Sequence, residues 1–265
     1  MFEKLKSLWP MGKPANPGPL LPAGQRVYAV GDIHGRLDLF SALVDALDAD
    51  DAVSPPARTT MILLGDLVDR GANSAGVLGR ARAWQQSREV RILAGNHEEM
   101  FLRSFSSIDI LRHFLRHGGR ETLLSFGVDR SAYSSATIEE VQALMHANVP
   151  EDIREYISGF EDMITIGDYL FVHAGVAPDV PIAEQTVAEL RWIREPFLSH
   201  EGSHGPMVVH GHTIAEHPVE TASRIGIDTG AYATGRLTAL VLEGAQRRYI
   251  AAVGDELGQV RIEGG

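Results

Sequence analysis

The chain has 265 residues, 44% of them hydrophobic and 22% charged, which suits one large α/β domain or a domain with an insertion. Its formal net charge of -11 repels nucleic-acid backbones and anionic membranes, so we expect neither as a partner. Because the sequence has no cysteine, disulfides and thiolate metal ligands are excluded, and a reducing cytoplasm is the expected location.

The first half of the chain predicts a repeated order of strand, polar loop and helix. Residues 1–25, rich in proline and glycine, predict a flexible arm before a single domain at 26–265. Val27–Val30 is a short apolar run that predicts a buried strand. This alternation favours a largely parallel sheet with functional loops at the carboxyl ends of its strands. The next elements predicted are a helix at 37–47, a strand at 60–64, a helix at 74–86 and a strand at 90–93.

The second half is predicted to begin with an insertion. Residues 98–160 have a helical pattern interrupted by glycines and predict a helical cap. His113 and His117 in this cap either approach the site or lie on a helix surface, and the sequence favours the surface. Further elements predicted are paired strands at 163–166 and 169–172, a helix at 183–192, a strand at 207–209 and short β-like runs at 224–260.

Two segments that end in Gly-Asp carry candidate metal ligands. In Gly31-Asp32-Ile33-His34-Gly35, residues two apart in an extended segment point the same way, so Asp32 and His34 could share one ion. In Gly65-Asp66-Leu67-Val68-Asp69-Arg70-Gly71, Asp66 could bridge two cations. The alternatives are a capping Asp beside a surface histidine in the first segment, and a solvated Asp-Arg pair in the second.

Three histidines and an asparagine complete the set of strand-end residues. Asn96 offers a neutral oxygen to a metal, and His97 beside it would be free as a proton donor. His173 and His210 each follow an apolar run, where a lone histidine would more often be structural. Several strand ends carrying such residues are hard to explain by helix capping alone.

The combined residues fit a binuclear metal centre. One ion would take Asp32, His34 and Asp66, and the other would take Asp66, Asn96, His173 and His210. Mixed oxygen and nitrogen ligands suit manganese, iron or zinc, and manganese is our expectation. Two such ions generate a bridging hydroxide and bind phosphoryl oxygens. His97, oriented by Asp69, would protonate the leaving oxygen, and the planar guanidinium of Arg70 would bind phosphate.

These segments resemble the phosphoprotein phosphatase family of calcineurin-like metallophosphoesterases, especially its small bacterial and phage-lambda-type members. The resemblance runs from about Val27 to about Leu242. It implies an α/β metallophosphoesterase fold, with a central β-sandwich flanked by helices and two metal ions at its edge. It also implies a second phosphate-binding arginine, which is Arg194 in Trp192-Ile193-Arg194-Glu195, with Arg191 as the alternative. We count Asn96 with the arginines among the phosphate-binding residues.

A segment near the carboxyl end also resembles part of this family. Ile227-Asp228-Thr229-Gly230-Ala231 follows the last predicted ligand and is interpreted as a structural strand and turn. Tyr232 directly after it could lie near the pocket, and the sequence alone leaves that open.

The main functional interpretation is metal-dependent hydrolysis of phosphate monoesters, with phosphoserine or phosphothreonine proteins or small phosphomonoesters as substrates. The alternative is a symmetrical dinucleoside tetraphosphatase, which attacks a phosphoanhydride such as that of diadenosine tetraphosphate. Asp69 and Glu98 favour the first, because an anhydride leaving group has less need of an oriented acid. The minor alternative, a non-catalytic interaction module, conflicts with the presence of every proposed ligand and of His97. The sequence does not set the oligomeric state.

Overall fold

Two β-sheets form the centre of the molecule. The structure is a computed structural model that describes residues 18–265, so residues 1–17 of the predicted arm lie outside the described residues. The strands of the described residues are β1 (Gln25–Val30), β2 (Arg58–Leu63), β3 (Val90–Ile92), β4 (Met163–Ile166), β5 (Tyr169–Val172), β6 (Met207–His210), β7 (Val219–Glu220), β8 (Arg224–Gly226), β9 (Arg236–Glu243), β10 (Gln246–Gly254) and β11 (Val260–Gly264).

Helices cover the outer faces of the sheets and fill the segment between β3 and β4. Among residues 18–265, no helix has the length and apolar character that a bilayer span requires. A kinked segment that we call the π turn lies at Leu115–Gly119, where His117 and Gly118 leave helical φ/ψ values, and a 3-10 turn lies at Ile182–Glu184. The α-helices are α1 (Leu37–Val53), α2 (Ser74–Gln85), α3 (Asn96–Ser104), α4 (Ile108–Phe114), α5 (Arg120–Ser125), α6 (Arg130–Ser135), α7 (Ile138–Asn148), α8 (Glu151–Ser158), α9 (Val187–Trp192) and α10 (Ala231–Thr234).

Both sheets are mixed. The first has the strand order β11-β10-β9-β1-β2-β3, in which β1, β2 and β3 run parallel and β9 to β11 are antiparallel additions. The second has the order β4-β5-β6-β8-β7, with β5, β6 and β8 parallel. The sequence predicted a largely parallel sheet, and it did not predict the antiparallel strands β9 to β11 at the edge of the first sheet. The parallel strands end at a common edge in each sheet, which is where ligands bind in such folds.

Side-chain alternation along β1 shows how the layers pack. Val27 and Ala29 lie in an apolar cluster between the two sheets, together with residues of β5 and β6. Tyr28 and Val30 point to the opposite face, where they pack against α1 and α2. Because successive strand residues face opposite sides, a strand buried on both faces needs apolar residues at successive positions, as β1 has from Val27 to Val30. These two sheets with flanking helices confirm the predicted fold class.

The segment between β3 and β4 consists of helices α3 to α8 and the π turn. Helix α3 begins at Asn96 because the Glu98 side chain accepts the N–H of Gly95 and thereby caps the first turn. This segment reaches the second Gly-Asp loop, since Gly118 O accepts the N–H of Arg70 at 3.1 Å. Its interpretation as a cap over the site stays a prediction.

The last residues of the predicted arm contact the domain. The Leu21 N–H donates to Gly244 O at 3.0 Å, between β9 and β10, and the Leu20 N–H donates to Asp168 Oδ2 at 2.9 Å, between β4 and β5. Leu21 is buried in the cluster between the sheets. Residues 18–24 are therefore hydrogen-bonded to the β9–β10 turn of the first sheet and to the β4–β5 turn of the second.

Candidate metal centre

The loops after β1 and β2 are joined through their backbones. The N–H groups of Ile33 and His34 both donate to Asp66 O, at 3.2 and 2.8 Å. His34 and Asp66 have φ values of 47° and 50°, in the left-handed region that costs energy for residues other than glycine. Such strain persists where surrounding contacts maintain it, and here the two predicted ligand loops maintain each other.

Glu98 fixes the geometry of the second loop. Its buried carboxylate accepts the N–H groups of Asp66, Leu67 and Gly95, each at 2.8 Å. Burial and the charge of Asp66 raise the pKa of Glu98, and the backbone donors oppose this. Sequence reasoning used Glu98 only to distinguish family branches, whereas the structure shows that it holds the loops after β2 and β3 together.

Asp66 lies at the centre of two groups of convergent ligand atoms. One group contains His34, Asp66 and His97, the other contains Asp66, His173 and His212, and the ligand atoms within each lie within 4.8 Å of one another. Asp66 Oδ2 is 3.5 Å from His34 Nε2, and Asp66 Oδ1 is 3.4 Å from His173 Nε2. The two carboxylate oxygens therefore face different histidines, which is the geometry a bridging ligand needs.

The imidazoles of His34 and His173 are held in the tautomer that suits metal binding. His34 Nδ1 donates to Val68 O at 2.8 Å, and His173 Nδ1 donates to Leu64 O at 2.8 Å. A carbonyl oxygen can only accept, so each Nδ1 carries the proton and each Nε2 presents a lone pair. Burial lowers the pKa of His173 to about 4, which keeps it neutral at neutral pH. Asn96 Oδ1 lies 3.1 Å from the same Nε2 atom of His173.

The structure does not bring His210, which the sequence predicted as a ligand, together with the ligand atoms that converge on Asp66. His210 belongs to the same face of β6 as Val208, two residues earlier, which packs in a separate apolar cluster with Phe197. The His210 ring lies 5.0 Å from that of Phe197, and its Nδ1 donates to Gly211 O at 3.0 Å. Strand alternation thus turns His210 away from the residues that converge on Asp66.

His212 occupies the position that the sequence assigned to His210. Its φ of 63° turns the chain after Gly211 and brings its ring within 5.1 Å of that of His173. His212 Nε2 is buried and has no hydrogen-bond partner among residues 18–265. Burial lowers the pKa of His212 to about 2, so its ring is neutral, and in the tautomer protonated at Nδ1 the unpartnered Nε2 offers a lone pair to a cation.

Asp32 brings a second carboxylate to the site and a third stands beside it. The Asp32 oxygens accept the His212 N–H at 3.0 and 3.2 Å. Asp228 lies beside the same loop, since a Cβ at Gly31 would stand 3.5 Å from Asp228 Cα. Burial raises the pKa of Asp32 well above its usual value, and the charges of Asp228 and Asp66 raise it further. A bound cation would offset this repulsion. The sequence treated Asp228 as part of a structural turn and missed this contact.

His97 and Arg70 lie beside these ligands. His97 Nδ1 donates to Asp69 Oδ2 at 2.6 Å, so Asp69 orients the ring. Arg70 donates to His34 Nε2 at 3.0 Å and to His97 Nε2 at 3.1 Å, and its guanidinium stacks 4.5 Å above the ring of Tyr232. Tyr232, which the sequence left open, therefore lies at the site.

The two candidate arginines after β5 differ in their partners. Arg191 donates to Asp162 at 2.7 Å and lies 3.6 Å from Glu99, so its charge is already paired. Arg194 donates to His212 O at 3.4 Å, next to the convergent ligands. Only the second is thus directed to the site.

A buried edge that gathers carboxylates, neutral imidazoles and an amide around Asp66 has the donor set of a divalent-metal site, and two arginines lie beside it. This defines a metal-dependent phosphoesterase. The model of the calcineurin-like phosphoesterase family matches residues 25–237, and the chain belongs to that family.

Curated relatives and solved structures agree with this assignment. A symmetrical bis(5'-nucleosyl)-tetraphosphatase of Janthinobacterium sp. (strain Marseille) is 30% identical over 161 residues, covering 61% of this chain and 47% of the relative. This chain therefore matches about half the length of that relative. The asymmetrical bis(5'-nucleosyl)-tetraphosphatase PrpE of Bacillus velezensis is 26% identical, covering 79% of this chain and 86% of the relative. A crystal structure of a proposed diadenosine tetraphosphatase has a TM-score of 0.60 at 21% identity, covering 94% of this chain and 97% of that one, and shares the fold.

Proposed function

We propose that this chain hydrolyses bis(5'-nucleosyl) tetraphosphates at the central anhydride, using two divalent metal ions. The observation that carries the proposal is that several curated relatives are named symmetrical bis(5'-nucleosyl)-tetraphosphatases. One of them, from Nitrosospira multiformis, is 26% identical and covers 82% of this chain and 92% of its own length. A site that converges on a single bridging carboxylate supports it, because two ions there suit an in-line attack on phosphorus.

We assign one ion to Asp32, His34 and Asp66, and the other to Asp66, Asn96, His173 and His212. His212 replaces His210 of the sequence prediction in this set. Manganese is the expected metal, with iron and zinc as alternatives, because all three accept mixed oxygen and imidazole ligands. When bound, the ions supply a hydroxide nucleophile at neutral pH and polarise the phosphoryl oxygens.

The residues around the ligands bind the phosphate and supply a proton. Arg70 spans His34 and His97, so a phosphate held by its guanidinium lies beside both. Stacking on Tyr232 keeps this guanidinium in place. Arg194 offers a second donor from the side of His212, while Asp69 keeps His97 Nε2 directed to the leaving oxygen.

The test compares diadenosine tetraphosphate with 4-nitrophenyl phosphate in the presence of Mn²⁺, with nucleotide products separated by anion-exchange chromatography. ADP as the only product supports the proposal. ATP together with AMP would move the cleavage to the outer anhydride and overturn the symmetrical assignment. Rapid aryl phosphate hydrolysis with no nucleotide product would overturn the dinucleotide substrate. The matched background control is Asp66→Asn, prepared identically.

A second candidate, hydrolysis of phosphoserine or phosphothreonine in proteins, is favoured by one specific contact. The buried pair of His97 Nδ1 and Asp69 Oδ2, 2.6 Å apart, is a positioned acid, which an alkoxide leaving group needs more than an anhydride does. Measuring kcat/KM for a phosphoserine peptide and for diadenosine tetraphosphate on one preparation decides between the two candidates.

The Asp69→Asn variant shows which leaving group the site serves. The amide in this variant lacks the negative charge with which the Asp69 carboxylate stabilises the protonated ring of His97. We therefore expect kcat for a phosphoserine peptide to fall about 100-fold, as is usual on loss of general acid catalysis. For diadenosine tetraphosphate we expect a loss below about tenfold, because the nucleoside diphosphate leaves readily without a proton. Equal losses on both substrates would contradict the role of His97 as acid.

A further inference from the structure

An exposed face of α4 and the π turn carries positive charge in a chain whose net charge is -11. We call His113, Arg116 and His117 the cationic rim. All three are exposed, and the rings of His113 and His117 lie 4.1 Å apart. Arg116 forms no ion pair with a carboxylate of residues 18–265, whereas Arg120, one turn later, pairs with Glu121. His117 Nδ1 donates to His113 O at 2.8 Å, so the guanidinium of Arg116 is the member of the rim whose charge no described carboxylate pairs.

The backbone next to the rim is in close contact with the loop that carries Arg70. Gly118, directly after His117, has a φ of 102° and accepts the Arg70 N–H at 3.1 Å. A Cβ at Gly118 would stand 2.5 Å from Arg70 N, so only glycine permits this approach. Four residues further on, Thr122 Oγ1 donates to Asp69 Oδ1 at 2.6 Å. His117 and Gly118 leave helical φ/ψ values at this kink, and the contact of Gly118 with Arg70 holds the backbone of the rim beside that arginine.

Electrostatic coupling agrees with this placement. Burial lowers the pKa of His113, and the charges of His117, Arg116 and His97 lower it further. Burial raises the pKa of Asp69 well above its usual value, and the opposing influences include the charge of His117. The contacts of the π turn and of α5 with the second Gly-Asp loop place the backbone of the rim on this side of the site, and these electrostatic influences are consistent with that position.

We propose that His113, Arg116 and His117 bind the phosphate groups of the substrate that lie beyond the reacting one. The inference rests on the proposed function, since a tetraphosphate extends past the metal ions whereas a simple phosphomonoester does not. The guanidinium of Arg116 donates charge-assisted hydrogen bonds to phosphate oxygens, and His113 and His117 donate to them when their rings are protonated beside the polyanion. The rim thereby determines specificity for substrates with a chain of phosphates.

The experiment compares Arg116→Gln and His117→Gln with Arg130→Gln, a control that removes an exposed arginine from α6 of the same helical segment. We measure KM for diadenosine tetraphosphate and for 4-nitrophenyl phosphate, with free Mn²⁺ held constant. For Arg116→Gln we expect the first KM to rise about fivefold, which matches the loss of one exposed charged hydrogen bond. The second KM should stay unchanged in all variants.

Inhibition of 4-nitrophenyl phosphate hydrolysis by tripolyphosphate and by orthophosphate separates this inference from the proposed function. We expect tripolyphosphate to inhibit the wild type at a lower concentration than orthophosphate does. Loss of this difference in Arg116→Gln, with its retention in Arg130→Gln, supports the rim even if diadenosine tetraphosphate is not cleaved. Equal inhibition constants for the two anions in the wild type would overturn the rim, as would equal effects of Arg116→Gln and Arg130→Gln.

Discussion

The two sheets contribute to the site in different ways. The first sheet supplies loops that are bonded to each other, through Asp66 O to the N–H groups of Ile33 and His34 and through Glu98 to the loops after β2 and β3. The second sheet supplies single imidazoles, His173 and His212, that reach across to Asp66. Several bonds to one carbonyl and one carboxylate fix the first half. In the second half one backbone bond, from the Gly211 N–H to His173 O at 2.8 Å, joins the two loops, and the direction of two rings sets the ligand atoms.

The largest expected effect comes from the residue that both halves share. In Asp66→Asn one anionic oxygen is lost between two cations, so we expect kcat/KM to fall more than about 100-fold, beyond the cost of losing an outer partner of a ligand. Metal content measured by inductively coupled plasma mass spectrometry should fall below two ions per chain. A variant that keeps both ions and full activity would contradict the bridging assignment.

The second prediction compares two histidines of the second sheet's edge. We expect His212→Ala to lose one ion and about 100-fold in kcat/KM, because it removes a buried donor of the second ion. His210→Ala should keep both ions, because His210 packs against Phe197 away from Asp66. Its cost should appear in urea denaturation, as about 1–3 kcal/mol of unfolding free energy from a buried polar contact.

Metal analysis of both variants decides the comparison. Loss of an ion in His210→Ala with retention in His212→Ala would restore the assignment made from sequence. If His210→Ala does not fold, His210→Asn keeps a polar side chain at that position and provides the same comparison.

The sequence predicted the first half of the site because short strands that end in Gly-Asp or Gly-Asn place the next side chain at a common edge. Asp32, Asp66 and Asn96 follow this rule, and Asp69 and His97 pair as expected. The second half depends on the path of the chain after the strand. His210 obeys strand alternation and His212 does not, because its positive φ redirects the backbone, and no pattern in the residue types signals that turn.

Contacts between distant segments also could not be predicted from the sequence. Asp228 meets Asp32 only because β8 lies beside β6 in the second sheet, and the sequence pattern does not give this strand order. The predicted helix at 183–192 is divided into a 3-10 turn and α9, because Thr186 caps α9 by accepting the Glu189 N–H. Both features arise from pairings that a single sequence does not display.

The third prediction concerns the network that distinguishes the first half. In Glu98→Gln one carboxylate oxygen becomes an amide N–H that faces backbone N–H donors, leaving buried groups unpaired. We expect a loss of about 2 kcal/mol in unfolding free energy and metal binding about tenfold weaker. The matched control is Glu99→Gln at the next residue, where only a surface pair with Arg103 and contacts to Trp192 and Arg191 are weakened. An effect of Glu98→Gln no larger than that of Glu99→Gln would contradict the network.

The smallest effects are expected from the arginines that follow β5. Arg194→Ala should lower kcat/KM about tenfold, as expected for one donor to the phosphoryl oxygens that is assisted by two metal ions. Arg191→Ala should leave kcat/KM unchanged and cost less than about 1 kcal/mol in unfolding free energy, because its pair with Asp162 is partly exposed. The reverse result, a kinetic defect in Arg191→Ala alone, would mean that substrate draws Arg191 from Asp162 and Glu99 into the site. The second half of the site would then be assembled by the substrate rather than by the fold.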